Sequence, residues 1–103
     1  MSHDRIGKAR ELWQRFPQNE LARFNLAQAY FDAGDFQNAA EYLRPLCTMK
    51  PDWMVVHILF GKCLLALGQP GAGRQALERA LQLAVAQHHD GPREELTEML
   101  KTL

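Results

Sequence analysis

Leu26-Ala27-Gln28-Ala29-Tyr30 and Phe60-Gly61-Lys62-Cys63-Leu64 decide the fold of this chain, because one lies over the other at an offset of 34 residues. Working outward, the register persists: Gly34-Asp35-Phe36 falls on Gly68-Gln69-Pro70, Leu43 on Leu77, and Pro17 on Pro51. A fixed period of this length marks a stack of like supersecondary units. Each unit cannot bury its apolar face alone, and its neighbours complete the core.

The units are helical, since no segment alternates with the period of two that a strand requires. A first helix is expected over Asp4 to Phe16, with Ala9, Leu12, Trp13 and Phe16 on one face. Pro17 stops it, because proline cannot extend a helix without losing a hydrogen bond. Asn19 then caps a helix carrying Phe24, Ala27, Tyr30 and Phe31. Gly34 suits the left-handed residue that closes it. Asp35 caps a third helix reaching about Met49, with Pro45 inside it and a kink expected there. Pro51-Asp52 repeats the stop and the cap, a fourth helix runs from Trp53 to about Leu67, and Gly68 closes it. Pro70 sits in the first turn of a fifth helix, where its missing N–H costs nothing. Asp90-Gly91-Pro92 is expected to break that helix beyond about His88, and a last one follows with Leu96, Met99, Leu100 and Leu103 as its stripe.

With those residues in place, the chain resembles the tetratricopeptide-repeat family over most of its length. Small residues stand where the family crosses two helices closely, at Ala27 and Ala39 and again at Gly61 and Gly73. Tyr30 and Leu64 fill the large position, Gly34 and Gly68 the inter-helix turn, and Pro51 the closing proline. Arg23 and His57 stand where the family often has tryptophan, Leu46 replaces a usual alanine, and Val85 replaces the second closing proline. The resemblance implies an all-α, right-handed solenoid of helical hairpins in one domain, 1–103. It divides into a half-repeat helix at 4–19, repeats at 20–53 and 54–87, and a capping helix at 92–103.

Bulk composition narrows the function classes. The chain has 103 residues, enough for one core and not for two. Twelve basic residues balance twelve acidic ones, so no global field attracts nucleic acid. Residues 1–10 are charged and hold no apolar signal segment, no run is long enough to span a bilayer, and the cytoplasm is the expected compartment. Cys47 and Cys63 lie within helical patterns and read as buried thiols.

Chemical sites do not emerge. Gly68 to Gln75 has the glycine spacing of a phosphate-binding loop, but Arg74 and Gln75 stand where lysine and Ser/Thr would be needed, and a helix precedes it. His88 and His89 are adjacent and point apart, and His57 and Cys63 do not share a helical face, so no metal site is expected. No nucleophile has a base nearby on its own element, so no enzyme and no cofactor are expected.

The resemblance instead implies a groove lined by the first helix of each repeat, presenting Leu21, Phe24, Asn25, Gln28 and Phe31, then Val55, Ile58, Leu59, Lys62 and Leu65. Phe24, Phe31, Val55 and Leu59 are expected to be apolar anchors, and Asn25, Gln28 and Lys62 to set register. Capture of a C-terminal carboxylate does not fit, because Phe24, Val55 and Leu59 occupy places where such a clamp needs polar groups. The implied function is non-catalytic: an adaptor or chaperone-like module gripping a peptide or helix of a partner protein. The alternative is self-filling of the groove, by the last helix or by a second copy in a homodimer.

Overall fold

A computed structural model describes residues 2–103, with side chains from Asp4 onward. Six helices follow in order: α1 (Ser2–Arg15), α2 (Glu20–Asp32), α3 (Phe36–Met49), α4 (Met54–Ala66), α5 (Pro70–Ala86) and α6 (Asp90–Lys101). No strand occurs among the described residues. Each helix packs on its neighbour in sequence, and α2 also touches α4, which is the contact pattern of a stacked array.

The breaks follow local chemistry. Asn19 accepts from the Ala22 N–H at 3.0 Å and Asp35 from the Asn38 N–H at 3.2 Å, so each satisfies a donor that the first turn leaves orphaned. Gly34 and Gly68 adopt φ of +80° and +76° and close α2 and α4. In each case the next residue's N–H reaches back to a carbonyl five residues earlier at 2.9 Å, Asp35 to Tyr30 and Gln69 to Leu64.

Two expectations about breaks are corrected. Asp52 does not cap α4; Trp53 holds that position without a side-chain bond, and the Asp52 carboxylate pairs with Arg79 at 3.3 Å. Nor does Asp90-Gly91-Pro92 end α5. The break comes earlier, at His88 with φ of +60°, and the His89 N–H closes the same loop onto Ala84 O at 2.9 Å. Asp90, Gly91 and Pro92 form the first turn of α6, where the proline's missing N–H has no intrahelical acceptor to lose. Pro45 lies inside α3, which continues to Met49; the carbonyl deprived of its donor belongs to Glu41, an exposed residue.

Two core clusters run through the stack. The first joins Leu26, Ala27 and Tyr30 of α2 to Ala39, Leu43 and Leu46 of α3 and Val56, Leu59 and Cys63 of α4. Ile6, Ala9 and Trp13 of α1 pack against it, and Trp13 meets Tyr42 edge-on at 5.2 Å. The second joins Met54 to Leu77, Ala80, Leu83 and Ala84 of α5 and Leu96 of α6. Between α4 and α5 the backbones approach most closely. A Cβ built on Gly61 would lie 2.8 Å from the Leu77 side chain and 3.2 Å from Gly73 O, and one on Gly73 would meet Leu65 and Gly61 O at the same distances. The expected stripes are corrected at α1 and at the C-terminal end: Leu12 and Phe16 are 43% and 49% exposed and Leu103 is exposed as well, since no further helix among the described residues covers them.

Candidate functional site

Ordinary amphipathic logic accounts for most apolar side chains, so the informative ones are those left outside. Leu21, at the start of α2, is 57% exposed and Met49, at the end of α3, is 49% exposed. Together with Trp53, Glu20 and the segment Lys50-Pro51-Asp52 they line an open cleft of about 610 Å³. Lys50 and Glu20 face each other across 3.4 Å at its rim. Scattered exposed leucines need no explanation, but several apolar groups converging on one concavity do.

The wall of this cleft is the junction between the two hairpins, and α4 and α5 hold it from behind. The His57 ring is 7% exposed and its Nε2–H donates to Pro51 O at 2.9 Å, which fixes the tautomer. Arg79 reaches Pro51 O at 3.4 Å, and the Gln87 amide donates to Asp52 O at 2.8 Å. These bonds tie the exposed Pro51-Asp52 loop to α4 and α5. Phe24 supports the apolar side, its ring 5.0 Å from that of Trp53.

The structure separates the seven residues expected to meet a partner. Leu59 is 6% exposed and belongs to the core, because the turn of α4 that carries it faces α2 and α3. Phe24 and Phe31 are half-buried, the former behind Trp53 and the latter edge-on to Phe36 at 5.4 Å. Val55 is 42% exposed on the first turn of α4, close in sequence to the cleft. Asn25 is exposed and Gln28 half-buried, with the Gln28 amide donating to Asp32 at 2.9 Å. Lys62 stands 4.0 Å from Glu95 of α6. α6 packs on α5 and not over α2, so the last helix leaves the face of α2 uncovered. Sequence reasoning passed over Met49 and Trp53. Their signal was the pair of apolar residues flanking Pro51, where the chain turns outward.

The remaining reactive groups are quiet. Burial pushes the thiols of Cys47 and Cys63 up to about 11, although Arg44 partly offsets the effect at Cys47. A thiol held protonated is a poor nucleophile and a poor ligand. Gly71 and Gly73 lie within α5, so the glycine-rich stretch is a helix start and a close crossing, not a phosphate cradle. Among the described residues no three His, Cys, Asp or Glu side chains are placed to hold a metal ion. No described helix is long and apolar enough to cross a membrane.

Comparison with known proteins agrees with the architecture. A family model described as anaphase-promoting complex, cyclosome, subunit 3 matches residues 4–80. A TPR repeat-containing protein of Pseudomonas aeruginosa is 35% identical over 85 residues, which cover 82% of this chain and 81% of that one. The solution structure of a protein from Bordetella parapertussis superposes with a TM-score of 0.80 at 26% identity, covering 94% of this chain and 84% of its own.

Proposed function

The chain belongs to the tetratricopeptide-repeat family, and we propose that it is a non-catalytic module that grips an apolar segment of a partner protein. Repeats of this family generally mediate contacts between proteins. The observation that carries the finer reading is the cleft of Leu21, Met49 and Trp53, open to solvent and braced from behind by His57, Arg79 and Gln87. Apolar groups on a rigid wall suit a short helix or extended segment whose side chains serve as anchors. Val55 extends that surface onto α4, while Asn25, Gln28 and Lys62 offer polar groups along the faces of α2 and α4. Phe24 contributes by fixing Trp53 and Phe31 by packing on Phe36, whereas Leu59 holds α4 in place. In this role the protein acts as an adaptor or chaperone-like factor.

The test is paired capture from host lysate, with wild type beside Leu21→Glu/Met49→Glu. Both positions are exposed, so the double variant should keep its helicity and melting temperature. A protein retained by wild type and lost by the folded variant supports the cleft. Equal retention of every partner by both baits would remove it.

A further inference from the structure

Among the described residues the backbone of α1 lies beside that of α2 alone and that of α6 beside α5 alone, and the repeat register says what a further neighbour would touch. A shallow groove of about 270 Å³ between α1 and α2 is lined by Arg5, Ala9, Leu12, Asn25 and Ala29, among others. Thirty-four residues on, the same positions are Ala39, Leu43, Leu46, Leu59 and Cys63. All five of those are buried in one cluster against Leu26, Ala27 and Tyr30 of α2. The groove between α1 and α2 is therefore the repeat-equivalent of the slot in which α2 itself sits, between α3 and α4. By its register it is shaped for a helix, and its Leu12 is 43% exposed.

We propose that the occupant is α6 of a second copy of this chain, so that molecules associate head to tail. The proposal is independent of the cleft at Leu21, Met49 and Trp53, which lies elsewhere. Charge selects the occupant. From Asp4 onward α1 carries Arg5, Lys8, Arg10 and Arg15 against two acids, whereas α6 carries Asp90, Glu94, Glu95 and Glu98 against two bases. Arg5 and Lys8 line the slot, and Glu94, Glu95 and Glu98 are exposed on α6. Within the chain, Gly61 and Gly73 mark the crossing of a hairpin. Carried one period towards the C-terminus Gly61 becomes Glu95 on α6, and carried two periods towards the N-terminus, through Ala39, Gly73 becomes Arg5 on α1. Opposite charges thus fall at the crossing between copies. Arg5 now pairs with Asp32, and Glu95 lies 4.0 Å from Lys62, so association exchanges one set of exposed partners for another.

A charged pair keeps the two helices farther apart than paired glycines do, so the contact is looser than a hairpin inside the chain and is carried by electrostatics. It is heterologous, which makes it open-ended: each added copy presents a fresh α6 or a fresh slot. Sedimentation equilibrium across about 10 µM to 1 mM at low ionic strength should show average mass rising at least about twofold, and falling back near 0.5 M salt. Arg5→Glu/Lys8→Glu and Glu94→Lys/Glu95→Lys/Glu98→Lys should each stay monomeric while remaining helical. Mixed in equal amounts they offer two complementary contacts, acidic α6 to basic slot and basic α6 to acidic slot, and should recover extended association. Both sets placed in one chain should restore extended association. A wild type that stays monomeric throughout overturns the proposal, whether or not another acidic helix is later found in the slot. So does a mixture of the two variants that stays monomeric.

Discussion

Replacing Gly61 by alanine adds one methyl group at the tightest point of the structure, and its effect follows from two opposing quantities. The new Cβ would lie 2.8 Å from both Cγ and Cδ2 of Leu77 and 3.2 Å from the carbonyl oxygen of Gly73. Leu77 is fully buried, and its branch point, not only its tip, is in the way. Rotation cannot clear the contact, so α4 and α5 must separate. Overpacking of this kind costs about 1–3 kcal/mol. Alanine in a helix interior recovers about 1 kcal/mol relative to glycine. The balance is a loss of about 1 kcal/mol, or roughly 4–8 °C in a domain of this size. Gly73→Ala should lose less, since the side chain it meets, Leu65, is only half-buried and can yield. Gly71→Ala meets no atom within 4 Å and should be neutral or stabilising. Gly61→Leu adds a branched side chain to the same crossing and should not fold. Urea midpoints for the four variants, with helicity followed by circular dichroism, check the order. A Gly61→Ala protein as stable as Gly71→Ala, or a folded Gly61→Leu, would refute the close crossing.

Three further outcomes are expected. His88→Gly should raise the melting temperature, because a non-glycine residue held at φ of +60° loses about 1 kcal/mol that glycine does not; an unchanged melting curve would mean that His88 makes compensating contacts. Stability should fall as pH rises from about 9 to about 11. The Cys63 thiol is held near 11 in the folded chain against 9.0 for the free group, so the unfolded state loses its proton first. Stability from the buried neutral thiol is full below about 9 and is lost as the pH passes about 11. Cys63→Ala should make that alkaline limb shallower relative to its own neutral-pH stability, Cys47 supplying the remainder, and an unaltered slope would assign the effect elsewhere. Asn19→Ala should cost about 1 kcal/mol by orphaning the Ala22 N–H, whereas Gln69→Ala, at a helix start with no side-chain cap, should cost a few tenths; equal losses in chemical denaturation would discount the cap.

The helices, their caps at Asn19 and Asp35 and the left-handed turns at Gly34 and Gly68 were all legible in the chain, because each depends on residues within one turn of one another. The 34-residue period also exposed the stacking, and the resemblance to the tetratricopeptide-repeat family implied the close crossing at Gly61 and Gly73. What the chain could not reveal was decided by partners distant in sequence. Asp52 looked like a cap until Arg79 claimed its carboxylate. Leu59 looked like an anchor until α2 and α3 closed over it. Leu12 and Phe16 looked like core, but they are exposed, with no described helix covering them. Periodicity states which face of a helix is apolar, and only the assembled stack states whether anything lies against that face. Leu21, Met49 and Trp53 became a site in the same way: separate positions on two helices and a loop, brought to one cleft by how the hairpins pack.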